Sequence, residues 1–433
     1  MLRKQRMDVA PGVGVGPRLR AVVAFLLAVF VFTLPIEELV SLPGLGSVTR
    51  LVGLVTMPIA LLALVEGGRV RFRVPTLFLL ASAMFVLWNV VSYFWSIEPS
   101  RTLGPAVTVV QLLIFVWLVS EFCRSAGALA KLMQAFVLGN YASLAVAMFL
   151  LFQATGAARD TGRDPNEFAT VLAWGIPVAA WLVARGQGGL FRVINIAYPV
   201  FVVLGIVLSA SRGGLLVAVV ALLAIPFSIA GMGVVRRVVL GVLLTAAVVL
   251  AFTGAPRLFP QLQENLERLG NVGVELTEGT LTGRTLIWRE GVRIFQSSPL
   301  VGVGLGAARP LYVDAIGREV VAHNTFLQIA TETGAIGVLL FLTMLTVAAA
   351  GTLNMHRAFR PFALVLLAAV FVGMLPLTIG TKKFSWFALA LLANQAPVVM
   401  TIAHGRSPFL SDRVGAAPRD RARVPQDANV EFH

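Results

Sequence analysis

Charged side chains are scarce in this chain. They make up 13% of its 433 residues, while 58% are hydrophobic and the mean hydropathy is +0.85. Soluble domains carry about 25% charged residues, so an ordinary globular protein is excluded. Polar sequence is too sparse for a disordered chain or a coiled coil, and a single cysteine excludes a disulfide-built secreted scaffold. What remains is a chain built for a bilayer. Its net charge of +14 is then read first as membrane topology and only second as affinity for nucleic acid.

Runs free of Asp, Glu, Lys and Arg occur at 21–36, 51–65, 74–97, 102–120, 132–158, 168–184, 193–211, 213–235, 238–256, 333–356, 361–381 and 384–405. A membrane-crossing helix needs about 20 mostly apolar residues, so these runs predict an all-α integral membrane protein with about twelve transmembrane helices. With the N-terminus inside, 21 lysines and arginines fall on cytoplasmic segments. Seven fall on the short exterior loops: Arg50, Arg101, Arg159, Arg163, Arg212, Lys382 and Lys383. That bias is the positive-inside pattern, and it puts both termini in the cytoplasm. The first apolar run is followed by PIEELVSLPG without a small-residue cleavage site, so it reads as an uncleaved helix.

The expected organisation is a cytoplasmic N-terminus (1–20), helices one to nine (21–256), a large periplasmic loop (257–332), helices ten to twelve (333–405) and a disordered cytoplasmic tail (406–433). Long ordered loops are usually functional. Within this one the pattern predicts helices at about 261–269 and 284–298, the second with Thr282 as N-cap and Pro299 as stop. A third starts near His323 and ends at Gly334, where a change of direction is expected.

Three basic residues stand out on the exterior side. Arg212 sits in SASRGG, a tight connection between two apolar runs. A snorkelling interfacial arginine is the plain alternative to function there, but exterior arginine is disfavoured and its small neighbours allow a large group to approach. Arg284 lies in TGRTLIW at a helix start, where a solvated helix-end charge is the alternative. His323, in VAHNTFLQIATETGAIG, shares their side of the membrane, and histidine is the commonest base near neutral pH, although a lone histidine is more often structural. Glu332 lies nine residues beyond His323, on the opposite helix face, so a structural role is expected. Arg289 and Arg293 share a helix face. Arg159 and Arg163 share a loop with Asp160, Asp164 and Glu167, where pairing within the loop is expected. Lys382 and Lys383 fit substrate phosphates or lipid headgroups. GVGVG at 12–16 and GVGLG at 302–306 lack the context of a nucleotide site, and no Cys/His/Asp/Glu cluster has metal spacing.

The stretch His323, Asn324, Leu327, Glu332, Gly334 resembles the signature of the bacterial O-antigen ligase/polymerase superfamily. Three further pieces agree in order and side. They are the turn Ser211, Arg212, Gly213; the helix start Gly283, Arg284, Trp288; and the segment Pro299, Gly302, Gly304. GRDPNEFA at 162–169 is similar to the family's Asn-Pro-Asn-like segment, with Asp164 in place of the first Asn and Asn166 as the last. The resemblance implies a C-type glycosyltransferase-like architecture and metal-independent, inverting transfer. Glycan would move from undecaprenyl diphosphate to a sugar hydroxyl at the periplasmic face. His323 would be the base, with Arg212 and Arg284 on the diphosphate. Asn324, Arg159, Arg163, Asn166, Arg289, Lys382 and Lys383 are further candidates for substrate contact. A ligase would use the lipid A-core oligosaccharide as acceptor, a polymerase a second lipid-linked repeat. The placement of the histidine motif directly before the tenth run favours the ligase. No cofactor, nucleotide or nucleic acid is implied, and inner-membrane lipids are the remaining partner. A lipid-linked sugar flippase is the competitor from another class. Transporters usually place ionisable groups near the midplane, and these runs have none. A cell-wall glycan polymerase of the shape and division kind would rely instead on an exterior carboxylate.

Overall fold

The structure, a computed structural model, describes residues 16–37, 39–42, 46–66, 76–123, 125–153, 164–186, 188–228, 232–258, 283–355 and 359–393. The expected helix at 261–269, the tail from 406, Arg159, Arg163 and Thr282 lie outside them. The helices are α1 (Pro17–Thr33), α2 (Val48–Glu66), α3 (Leu77–Val91), α4 (Pro99–Phe122), α5 (Ala126–Gln153), α6 (Pro165–Ala184), α7 (Gly189–Ser209), α8 (Arg212–Ser228) and α9 (Val234–Leu258). They continue with α10 (Arg284–Ser297), α11 (Val313–Ile316), α12 (Thr325–Leu353), α13 (Arg360–Met374) and α14 (Lys383–Ala393). Among the described residues the sheet content is one short antiparallel hairpin, Ser41–Leu42 with Gly46–Ser47.

Each of the twelve apolar runs falls on a helix, and eight of these helices, α1 to α7 and α12, are long and apolar enough to cross a membrane. The shorter apolar helices are α8, α13 and α14. Outward faces carry large exposed apolar side chains, including Leu62 and Val65 on α2, Leu223 and Phe227 on α8, and Val234 and Val238 on α9. Contiguous exposure of that kind suits lipid and would be an aggregation liability in water. Helix starts follow local chemistry. Proline occupies the first turn of α1, α4, α6 and α13, and Thr76, Asp164 and Asn324 cap α3, α6 and α12 by accepting backbone N–H bonds.

Helix α6 is the central element: 15 of its 20 residues are buried, and it packs against α7, α8 and α13. Close approach to α8 depends on Gly214, where a Cβ would lie 2.1 Å from that of Ala169. Small residues of this kind let helix backbones meet in a bilayer, where lipid tails supply no hydrophobic force between helices.

Helix α12 is broken where a change of direction is expected. Gly334 adopts φ 68° and ψ −169°, a backbone region essentially reserved for glycine. In an unbroken helix the N–H groups of residues 335 and 336 would bond to the carbonyls of 331 and 332. Instead the Pro299–Gly304 strap enters the gap. Ala335 and Ile336 donate to the carbonyls of Pro299 (2.8 Å) and Leu300 (3.3 Å), while Val303 and Gly304 donate to those of Thr331 (3.0 Å) and Glu332 (2.8 Å). The indole N–H of Trp88 serves the Thr333 carbonyl at 2.9 Å, and that of Trp95 serves Val301 at 3.0 Å. A Cβ on residue 334 would lie 2.2 Å from the Leu300 carbonyl oxygen. Gly334→Ala is therefore expected to destabilise the protein strongly, since the backbone alone costs about 1–3 kcal/mol. Gly104→Ala, which meets nothing within 4 Å, is expected to leave stability unchanged. Thermal unfolding in detergent compares the two, and equal melting temperatures would contradict the proposed role of the break.

Candidate active site

Four helix starts converge. Asp164 is the N-cap of α6, Arg212 is the first residue of α8, Arg284 is the first residue of α10, and His323 directly precedes the α12 cap Asn324. Each helix presents the positive end of its dipole there, the usual setting for anions. Asp164 and Arg212 are close enough for their charges to act on Arg284, and Arg284 and Asp164 likewise act on His323. The structure thus brings together the three residues singled out as catalytic candidates and adds Asp164.

Hydrogen bonds fix the first two helix starts to each other. The Ser211 hydroxyl donates to Asn166 Oδ1 (2.8 Å) and accepts from the Gly214 N–H (3.0 Å), capping α8. Asp164 Oδ1 accepts from both the backbone N–H (2.8 Å) and the side-chain amide (3.0 Å) of Asn166. The α7–α8 turn is kept tight by Ala210 at φ 49°. His323 has φ 48°, and these two are the non-glycine residues with left-handed backbone among those described. Backbone strain of this kind clusters at functional sites because the surroundings must enforce it.

Side chains on α10 and α12 enforce it at His323. Trp288 Nε1 donates to the Ala322 carbonyl at 3.0 Å, and the Ala322 N–H donates to Gln328 Oε1 at 3.2 Å. The residue before the histidine is therefore held at both its N–H and its carbonyl. Trp288 lies one turn after Arg284, so the same indole sets the register of that arginine beside the imidazole. Gln328 Nε2 in turn donates to Glu332, whose carboxylate also accepts from the Gly306 N–H. Glu332 thus binds the loop, in line with the structural role expected of it. Neither the role of Trp288 nor that of Gln328 was legible in the sequence. The Trp288 spacing marks a motif but says nothing of a bond to Ala322, 34 residues away.

Burial, and then the Arg284 charge, pull the His323 imidazolium below the usual histidine range, against a smaller opposing pull from Asp164. Its Nδ1 is buried with no hydrogen-bond partner among the described residues. Burial also lowers the Arg284 guanidinium, countered by Asp164 and reinforced by Arg212. An arginine so placed stays charged at any physiological pH.

Most of the other described candidates have partners of their own. Glu167 pairs with Lys382 (2.8 Å), and Lys383 pairs with Glu37. Asn324 serves as the α12 cap by accepting from the Leu327 N–H at 3.0 Å. Arg289 is exposed, and Arg293 pairs with Glu290 at 3.1 Å. The cap of α10 is Gly283 in left-handed conformation, the residue after the expected Thr282. Among the described residues no three His, Cys, Asp or Glu side chains form a group that could hold a metal ion.

The molecule is thus a multi-pass helical membrane protein with an arginine–histidine cluster at the meeting point of four helix starts. Residues 197–342, which contain Arg212, Arg284 and His323, match the family model described as O-antigen ligase. The chain is also 39% identical over 88 residues to the "Exopolysaccharide production protein ExoQ" of Rhizobium meliloti (strain 1021), covering 18% of this chain and 20% of that relative. The two matches support membership of the O-antigen ligase/polymerase superfamily.

If the indole bond holds the histidine backbone, Trp288→Phe should leave the Ala322 carbonyl buried without a donor. Such a loss costs about 1–3 kcal/mol locally. Amide hydrogen exchange around residues 320–324 should then accelerate by about tenfold or more. Exchange at the wild-type rate would remove Trp288 from this role.

Proposed function

We propose that this protein is an O-antigen ligase, moving a glycan from undecaprenyl diphosphate to the lipid A-core oligosaccharide at the periplasmic face of the inner membrane. The observation that carries the reading is the convergence of Arg212, Arg284 and His323 on four helix N-termini. In this reading the chain crosses the membrane twelve times, with α8, α9, α13 and α14 completing the set and both termini cytoplasmic. The 257–332 loop then stands outside, where no nucleotide donor is available and a lipid diphosphate is.

The chemistry follows from the residues. The acceptor hydroxyl attacks the anomeric carbon from the face opposite the diphosphate. As the new C–O bond forms, the bond to the diphosphate oxygen breaks and its electron pair leaves with the lipid diphosphate. Arg212 and Arg284 present planar forks to the phosphate oxygens, where negative charge grows, and the helix dipoles add to them. The hydroxyl proton passes to His323, whose lowered proton affinity keeps it neutral and able to accept. The diphosphate leaves without a general acid.

A second reading, a polymerase joining lipid-linked repeats, is favoured by the match to an exopolysaccharide production protein. The lipopolysaccharide ladder of a deletion strain separates the two. Loss of ladders with accumulation of long lipid-linked polymer indicates the ligase, whereas a single-repeat band on the core indicates the polymerase. An unchanged ladder and unchanged lipid-linked pools would refute both.

With purified enzyme, His323→Ala should lower transfer by about 10²–10⁴-fold while donor still binds. Wild-type rates need the neutral imidazole, so they should hold as pH rises and fall only at pH below the ordinary histidine value of 6.5. Arg212→Lys and Arg284→Lys should each lose on the order of 10²–10³ in rate, since lysine offers a point charge in place of a fork. Activity should survive EDTA, and strict dependence on added Mg²⁺ would sink the arginine mechanism.

A further inference from the structure

A cleft of about 290 Å³ lies beside the arginine–histidine cluster. Its walls are the exterior ends of α3, α4 and α6, the 305–309 loop, the start of α12 and the 378–382 connection. It meets the cluster at Asp164, which belongs to both, and at Thr325, two residues beyond His323.

We propose that this cleft is a binding subsite for an uncharged sugar ring of one of the two glycan substrates, with a ring hydroxyl on Thr378. This deepens the glycosyl-transfer reading and rests on it. The first argument is charge. Arg101, Arg309 and Lys382 face the cleft, and so do Asp164, Glu167 and Glu332. Much of this charge is already engaged. Lys382 holds Glu167 at 2.8 Å, and Arg101 holds Glu319 through two bonds of 2.7 and 2.8 Å. A wall so balanced offers an anion little, whereas the diphosphate finds net positive charge at Arg212 and Arg284. What it does offer is many donors and acceptors without net charge, which suits a polyol.

The second argument is an orphaned hydroxyl. Thr378 Oγ1 is buried with no hydrogen-bond partner among the described residues, although its neighbours Leu377 and Ile379 are both bonded to the Thr325 hydroxyl. A buried hydroxyl left unpaired is costly and calls for a partner. A sugar hydroxyl, which donates and accepts, is one that fits. The third argument is the apolar part of the lining. Phe85, Leu305 and Ile329 give the cleft a surface for the C–H face of a ring, so that polar contacts orient the ligand and apolar ones cover it. The volume sits at the low end of small-molecule sites, roughly 300–1,000 Å³, which suits a short saccharide segment and not a polymer.

The test uses the full-length protein in detergent, with lipid-linked donor and core oligosaccharide acceptor varied separately. Thr378→Val keeps the shape and removes the hydroxyl, and Thr381→Trp fills the cleft. Thr378→Val should raise KM for one substrate about five- to tenfold, with kcat within about twofold, as one lost hydrogen bond predicts. Thr381→Trp should raise the same KM further. A rise for the donor places the ring on the donor glycan, and a rise for the acceptor places it on the core. Saturation-transfer NMR with the free core and repeat-unit oligosaccharides provides a readout independent of turnover. One of them should give a signal with wild type that Thr378→Val weakens. Wild-type protein that transfers glycan while Thr378→Val keeps both KM values and its NMR signal would overturn the subsite and leave the enzyme reading standing. Wild-type protein that transfers nothing would overturn the enzyme reading. Loss of kcat alone at unchanged KM would also refute the subsite.

Discussion

The splice between the Pro299–Gly304 strap and the broken helix α12 underlies the whole arginine–histidine end of this protein. A helix broken at Gly334 loses two backbone bonds, and the strap restores both with its own donors and acceptors. Because the exchange is backbone to backbone, it fixes position along and across the helix at once. Unpaired peptide groups near membrane depth would cost several kcal/mol each, so the strap cannot simply lift away. Through it the segment before α12 is tied to α3 and its flank by Trp88, Trp95, Ser92 and Ile97.

The first half of α12, ahead of the break, carries the histidine. Its position is decided at three levels: the break sets its direction, Thr325 ties its start to Leu377 and Ile379, and Trp288 with Gln328 grips the peptide at Ala322. None of these contacts involves the imidazole itself, whose buried Nδ1 has no hydrogen-bond partner among the described residues. The arginines are placed by their helix starts. Arg212 follows a two-residue turn whose cap, Ser211, is bonded to Asn166, and Arg284 is set by the helix that Trp288 anchors.

Electrostatics explain why these groups belong together. Two guanidinium groups and four helix dipoles would repel one another if nothing balanced them, and Asp164 supplies part of that balance. The remaining positive field favours an anion. The neighbouring cleft has the opposite design, with matched charges and a spare hydroxyl. Division of one surface into a net-positive corner and a neutral polar pocket suits a substrate that is part phosphate and part sugar.

Much of this was legible in the sequence, because its causes are local. Hydropathy marked every apolar helix, since burial in lipid depends on a run of about 20 residues and nothing beyond it. The break at Gly334 and the starts near Arg284 and His323 were visible for a similar reason, as caps and glycines act within one turn. The grouping of Arg212, Arg284 and His323 was visible only as spacing and side of the membrane. Tertiary structure decided the rest. It drew Asp164 into the cluster, gave Glu167 to Lys382 and Glu37 to Lys383, and set Gly283 rather than Thr282 at the start of α10. It also sent the glycines at 302 and 304 into the break of α12. Such pairings join residues tens to hundreds of positions apart, and their partners are chosen by how whole helices pack, which no local pattern encodes.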